Sequence, residues 1–137
     1  MKKELNVKAT LENLHTVLGF IEENLELVEC PMKIAMKIVV CVEEIYVNVA
    51  SYAYDEASGD CRLELVVDDA TPNRVNITIL DEGKPFNPLE KEDPDTTLDA
   101  DEREIGGLGI FMVKNIMDTI SYERKGENNI IIMEKSW

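Results

Sequence analysis

The sequence predicts an α+β domain, with helices on one face of a mixed, mostly antiparallel sheet. Segments typical of strands lie near both ends and in the middle of the chain, and two long segments with apolar residues at helical spacing separate the first strand from the next. Strands that follow one another with a short connection pair as antiparallel hairpins, and helices with apolar faces cover one side of such a sheet.

The predicted elements follow in the order strand, two helices, two strands, helix, two strands. Thr10 is a candidate N-cap for the first helix, and Pro31 is typical of the first turn of the second, which runs to about Tyr54. The predicted strands cover about 4–9, 62–67, 75–80, 119–124 and 130–134, and the predicted helices about 11–25, 31–54 and 110–117.

Length and composition indicate one domain over residues 1–137, with 45% apolar residues to form its core. No apolar run approaches the roughly 18 to 20 residues that span a bilayer, and no apolar segment of a signal peptide follows the first charged residues. The expected location is therefore the cytoplasm, without a membrane partner. The three cysteines form no CxxC pair, so we expect them to be reduced and packed.

The net charge of −14 comes from 28 acidic and 14 basic residues. This balance argues against a direct nucleic-acid partner, because phosphate contacts along a nucleic acid need clustered Lys and Arg. It does not argue against a bound nucleotide, whose phosphates can be held by backbone N–H groups and a cation.

The second helix carries the first candidate site. Its apolar residues surround most of the axis, which predicts a helix buried between other elements; they are Met36, Val39, Val40, Val42, Ile45, Val47 and Val49. Glu44 and Asn48, at i and i+4, share one face, and Glu43 points away from it. Because a buried carboxylate needs a partner, Glu44 is expected to face water, a metal or a ligand. The alternative is that both side chains reach solvent at the helix edge.

Two further motifs lie after the predicted strand 75–80. In the segment 81–86, Asp81 can accept a hydrogen bond from an exocyclic amino group, and Gly83 allows close approach to a flat ring; the alternative is an ordinary turn. The segment 106–109, Gly-Gly-Leu-Gly, precedes a helix and suits a polyphosphate, the alternative being a flexible hinge. Between them lies a long polar stretch, 84–105, of a length typical of lids or disorder.

In this order and spacing, the three motifs resemble the N, G1 and G2 boxes of the GHKL superfamily, whose domains have the Bergerat fold. The chain is most similar to the anti-sigma-factor serine-protein kinases. The resemblance implies a two-layer sandwich that binds ATP and Mg²⁺, with residues 84–105 as the ATP lid. It also implies these roles: Glu44 as general base, Asn48 as magnesium ligand, Asp81 as adenine reader, and Gly83, Gly107, Leu108 and Gly109 lining the nucleotide.

For function, the resemblance implies an anti-sigma factor that is also a serine-protein kinase. It would phosphorylate an anti-anti-sigma partner, sequester a sigma factor and form a homodimer. An alternative is a nucleotide-gated protein-binding module without useful kinase activity, since Tyr52 stands where these kinases commonly have His. A detached histidine-kinase catalytic domain is a third possibility.

Overall fold

Three helices pack on one face of a five-stranded sheet in a computed structural model that describes residues 1–54, 59–70, 72–90 and 107–137. The elements are β1 (Lys2–Lys8), α1 (Leu14–Leu27), α2 (Met32–Tyr52), β2 (Asp60–Asp68), β3 (Arg74–Asp81), α3 (Gly107–Ile116), β4 (Thr119–Lys125) and β5 (Asn128–Ser136). Two 3₁₀ turns, Leu11–Asn13 and Pro88–Glu90, lie before α1 and after β3. The predicted α+β class and its two layers are confirmed.

The strands are ordered β1-β2-β3-β5-β4, and all four pairings are antiparallel. The prediction of a mostly antiparallel sheet is thus confirmed, and within the described ranges no strand pairs in parallel. Since β5 lies between β3 and β4, residues far apart in sequence become neighbours. The register sets Asp81, at the end of β3, directly opposite Asn129, near the start of β5.

The hydrophobic core lies between the sheet and the helices. Strands β2, β3 and β5 bury every second side chain, which is the period of a sheet covered on one face. The largest fully buried side chains include Ile21, Leu25, Ile45, Tyr46, Leu63, Ile77, Ile110 and Met133. All three helices therefore contribute to a single core.

The prediction that Thr10 caps the first helix is wrong. Helix α1 begins at Leu14, after a 3₁₀ turn, and the Thr10 side chain makes no capping hydrogen bond. The backbone of Thr10 is held instead by the buried hydroxyl of Tyr46, which donates to the Thr10 carbonyl at 2.7 Å and accepts from its N–H at 3.1 Å. A tertiary contact thus decides where the chain leaves β1.

The expectation that α2 is buried on all sides holds only for its second half. The side chains of Ile45, Tyr46 and Val49 are buried, but Met36 is 62% exposed and Val40 is 39% exposed. Apolar periodicity shows which face of a helix is apolar, but it does not show whether another element covers that face. Among the described residues, no element covers this one.

The connection from α1 to α2 contains a non-glycine residue in the left-handed conformation, Glu29, with φ of 57°. Its N–H donates to the Glu26 carbonyl and the Cys30 N–H donates to the Leu25 carbonyl, both at 3.0 Å. These two bonds form a Schellman motif, in which this position usually holds glycine. The left-handed conformation costs an L-residue roughly 1–2 kcal/mol.

We therefore expect Glu29→Gly to raise the free energy of unfolding by up to about 1 kcal/mol, part of the gain being offset by the greater freedom of glycine in the unfolded chain. Urea unfolding followed by circular dichroism measures the change. The matched control is Glu23→Gly in the interior of α1, which should lower the same quantity by about 1 kcal/mol. A loss of stability in both variants would contradict the interpretation of Glu29 as a strained residue.

The cysteines are free, as expected. Cys41 and Cys61 are buried, and desolvation raises the pKa of the Cys41 thiol to about 11 and that of the Cys61 thiol to about 12. Desolvation also raises the pKa of the half-buried Cys30. Across the described ranges, no helix has the length and apolar character needed to cross a membrane.

Candidate functional site

The second half of α2 presents Glu44 and Asn48 side by side, as their spacing predicts. Asn48 is only 8% exposed, and its Nδ2 donates to the main-chain carbonyl of Glu44 at 2.7 Å. This bond fixes the amide and leaves its Oδ1 as the atom that can accept a hydrogen bond or ligate a metal. Glu44 is half-buried.

The first turn of α3 lies directly against the Glu44 side chain. A Cβ atom built on Gly109 would overlap the Glu44 carboxylate, so a larger residue here would displace that carboxylate. The structure thus brings together two of the predicted motifs, more than sixty positions apart in sequence. A carboxylate touching the N-terminal turn of a helix also lies where the helix dipole is positive.

The glycine motif was predicted to precede its helix, and this boundary is wrong. Helix α3 begins at Gly107, so Gly107, Leu108 and Gly109 form its first turn. The N–H groups of a first turn have no partner within the helix, and they remain available to an anion. Gly106 lies outside the described residues.

Asp81, at the end of β3, is a buried carboxylate with 3% exposure. Its Oδ1 accepts two hydrogen bonds, from the Gly83 N–H and from Asn129 Nδ2, each at 2.9 Å. Both internal bonds use the same oxygen. The second oxygen, Oδ2, is therefore the one able to accept a hydrogen bond from a bound base.

Gly83 packs against the end of α2. A Cβ atom on Gly83 would overlap the main-chain carbonyl of Ala53, and the next residue, Lys84, donates its N–H to that carbonyl at 2.9 Å. The Gly83 carbonyl accepts from Arg124 Nη1 at 2.7 Å. Glycine is required at position 83 for the close contact with the backbone of Ala53. The segment after Asp81 is thus fixed by hydrogen bonds to Ala53 on one side and to Arg124 on the other.

Asn129, which was not among the predicted site residues, joins β5 to this segment. Besides its bond to Asp81, Asn129 Nδ2 donates to the Lys84 carbonyl at 2.8 Å, and its Oδ1 accepts from the Phe86 N–H at 3.2 Å and the Tyr122 hydroxyl at 2.5 Å. All four bonds of the amide are made. The alternation of side chains along β5 was a signal that could have found it, because Asn129 lies on the same buried face of the strand as Ile131 and Met133.

Aromatic residues lie around the segment that follows Asp81, at the same end of the sheet. The Tyr54 hydroxyl donates to the Asp60 carbonyl at 2.7 Å and accepts from the Glu82 N–H at 2.9 Å. The rings of Tyr52 and Phe86 lie 5.5 Å apart at a tilt of 38°. The backbone N–H groups of residues 82, 83, 84 and 86 are thereby all hydrogen-bonded, so this loop is fixed before any ligand arrives.

The predicted lid, 84–105, is described only at its start. Residues up to Glu90 include the turn Pro88–Glu90, where Pro88 is buried and Leu89 packs against the core. The rest, 91–105, lies outside the described residues. The role of this segment as a lid stays a prediction.

No group of three or more His, Cys, Asp or Glu side chains able to hold a metal occurs within the described residues. The role of Asn48 as a magnesium ligand stays a prediction, and its Oδ1 is the atom left to fill it. Mg²⁺ characteristically takes one or two protein oxygens and completes its shell with water and phosphate oxygens.

The chain is thus an α+β domain with a candidate nucleotide site. The site combines the buried Asp81 with the N-terminal turn of α3, which begins at Gly107 and contacts the Glu44 carboxylate. The sequence matches the histidine kinase-like ATPase domain over residues 7–135, and the chain belongs to that family. The predicted membership of the GHKL class is thereby confirmed. Among proteins of curated function, none matches the sequence.

Two solved structures have a similar fold. One is the SiaB-SiaC complex from Pseudomonas aeruginosa, in which the similar chain has a TM-score of 0.60 and 12% identity, with 98% of this chain and 89% of that chain covered. The other is the histidine kinase domain of the blue-light activated histidine kinase from Erythrobacter litoralis EL346, with a TM-score of 0.50, 15% identity and 89% and 64% coverage. At these identities the similarity concerns the fold.

Proposed function

We propose that this domain binds Mg-ATP and transfers its terminal phosphoryl group to a serine of a protein partner. By resemblance to the anti-sigma-factor kinases, the phosphorylated partner would be an anti-anti-sigma protein, and the domain would also sequester a sigma factor. The observation that carries the proposal is the contact between the Glu44 carboxylate and the first turn of α3 at Gly109.

Adenine recognition is assigned to Asp81. Its Oδ2 is left to accept a hydrogen bond from the adenine amino group, because Oδ1 already accepts two. Guanine carries a carbonyl oxygen at the corresponding position, and two acceptors would then face each other. The pocket should therefore prefer adenine nucleotides over guanine nucleotides.

Phosphate recognition is assigned to the first turn of α3, where Gly107, Leu108 and Gly109 offer backbone N–H groups and the positive end of the helix dipole. Mg²⁺, when bound, would neutralise phosphate charge, with Asn48 Oδ1 as its protein ligand. Because Glu44 touches this same turn, its carboxylate is placed near any phosphate held there. It is the candidate to accept the proton of an incoming serine hydroxyl.

A protein partner has independent support, since one structure of similar fold belongs to a complex of two proteins. The second candidate function, a nucleotide-gated binding module, is favoured by Tyr52. This side chain is half exposed beside Phe86, at the start of the predicted lid. Tyr cannot supply the imidazole that the kinases commonly have at this position. The two functions share the nucleotide site and differ only in phosphoryl transfer.

Mg-ATP is expected to stabilise the fold. At a hundredfold excess over the dissociation constant the gain in free energy of unfolding is about 2.7 kcal/mol, which thermal melting detects as a shift of several degrees. Mg-GTP at the same concentration should produce a much smaller shift. A melting curve unchanged by millimolar Mg-ATP and Mg-ADP would overturn the proposal.

Asp81→Asn tests the adenine contact in the same assay. Asparagine can still accept the two internal bonds through its carbonyl oxygen, but its NH₂ group then faces the adenine amino group. The dissociation constant for ATP is expected to rise about tenfold or more. The control is Glu82→Gln, an exposed neighbour whose backbone is held by Tyr54 and whose affinity should be unchanged.

A further inference from the structure

An open groove lies between α1 and α2, away from the nucleotide site. Its volume is about 510 Å³, within the range of roughly 300 to 1,000 Å³ typical of ligand sites. The lining residues are Glu22, Glu26, Cys30, Met32, Ala35, Met36, Val39 and Val40. The walls are therefore mostly apolar, with two carboxylates on the α1 side.

The α2 wall is exposed although its sequence is that of a buried helix. Met32 is 78% exposed and Met36 is 62% exposed, and Val40 continues the same face one turn further on. Methionine side chains are flexible and polarisable, and they are common on surfaces that accept amphipathic helices. An apolar face of this kind, rimmed by charge, is typical of a protein-binding site.

The two charged side chains that line the groove are both acidic. Glu22 and Glu26 lie one turn apart on α1 and both line it. The nearest basic residues on α2, Lys33 and Lys37, are exposed and turned about 90 to 130° away from the centre of the lining face at 100° per residue. The groove therefore combines an apolar floor with an acidic rim.

We propose that this groove binds an amphipathic helix of a protein partner that carries Lys or Arg along one edge. The apolar face of that helix would cover Met32, Met36 and Val40, and its basic edge would meet Glu22 and Glu26. This is helix-in-groove recognition, in which apolar anchors give affinity and charges at the rim give orientation.

A second copy of the chain fits less well. Each chain carries a net charge of −14, so two copies brought together groove to groove would repel each other. An anionic membrane surface would meet the same repulsion. The negative charge of Glu22 and Glu26 repels a second copy of the chain and an anionic membrane, but it attracts a basic protein partner.

The groove and the nucleotide site share α2. Met36 and Glu44 are eight residues apart, which corresponds to about 12 Å along a helix. A partner could therefore be held at the groove while its neighbouring segment reaches the site. The groove proposal does not depend on nucleotide binding or on kinase activity, and its test contains neither.

The test uses a 14-residue helical peptide of Leu and Lys with one apolar face, added to the full chain at 0.3 M salt, a condition chosen to screen unspecific attraction. The readout is the NMR spectrum of ¹³C-methyl methionine. The signals of Met32 and Met36 should shift, and those of the core residues Met117 and Met133 should not. A scrambled peptide of equal charge, a Leu/Glu peptide and anionic phosphatidylserine vesicles should leave all of them unchanged.

Met36→Glu should weaken peptide binding by about tenfold or more, the loss expected for one buried methionine anchor. Leu11→Glu is the matched control, because Leu11 is equally exposed, at 59%, but lies outside the groove. Met36→Gln serves the same purpose if the charged variant fails to fold. Equal binding by the Met36 and Leu11 variants, equal binding of the scrambled peptide, or shifts produced by the vesicles would each overturn the proposal.

Discussion

Glu44→Gln is expected to slow phosphoryl transfer to a serine partner by about 10²- to 10⁴-fold, the usual contribution of a general base. The substitution keeps the shape of the side chain and its contact with the first turn of α3, but it removes the proton acceptor. Affinity for Mg-ATP should be nearly unchanged. Single-turnover transfer of labelled phosphate, measured beside a nucleotide titration, separates the two quantities.

Two further variants locate the effect. Glu43→Gln is the matched control, since the helix turns this neighbour about 100° away from Glu44, and it should alter neither quantity. Gly109→Ala should slow transfer by displacing the carboxylate that occupies the space of its Cβ atom. Its effect should nearly disappear in the presence of Glu44→Gln, because both variants act on one group.

A different outcome would decide against the kinase. If Glu44→Gln binds Mg-ATP normally and still transfers phosphate at the original rate, Glu44 is not the base. If the unmodified chain transfers no phosphate yet binds a protein partner only with ATP present, the domain is a nucleotide-gated binding module.

Asn129→Asp is expected to lower the free energy of unfolding by about 2 to 4 kcal/mol at pH 7.5. The new carboxylate would lie against Asp81, and it could no longer donate to the Lys84 carbonyl. Nucleotide affinity should fall with it, because the same amide positions Asp81. Asn128→Asp is the matched control one position earlier, on a half-buried side chain, and should change stability by less than about 0.5 kcal/mol.

The loss should depend on pH. Two carboxyl groups in contact at a buried site cannot both ionise easily, so one of them keeps its proton to a higher pH than an isolated carboxyl does. The folded variant therefore binds this proton more tightly than the unfolded chain does. Stability then falls as pH rises above the unfolded value of about 4. Urea unfolding should show a smaller deficit at pH 5 than at pH 7.5, and a deficit independent of pH would contradict the contact with Asp81.

Local patterns sufficed to predict much of the fold and most of the candidate site. Apolar periodicity placed both long helices and all five strands, and helical spacing placed Glu44 beside Asn48. The candidate site residues stood out because they interrupt these patterns. Asp81 ends an apolar strand, and Gly109 lies in a glycine cluster before an apolar helix.

Predictions failed where distant segments decide the structure. The start of α1 depends on Tyr46 rather than on a cap at Thr10. The alternation in β5 marks Asn129 as buried, but only the register of β5 shows that it lies opposite Asp81. The open face of α2 could not be read from the sequence, because the absence of a covering element is a property of the whole fold.

The strand order has a consequence for synthesis of the protein. The fifth strand in chain order lies between the third and the fourth, and it supplies the amide that completes the pocket around Asp81. A nascent chain that has only four strands outside the ribosome therefore exposes an unpaired edge of β3 and lacks the amide that holds Asp81. Pairing over this sequence distance is slow to form and open to association with other chains. A nucleotide bound at Asp81, as proposed, would therefore stabilise the finished domain and would not assist its early folding.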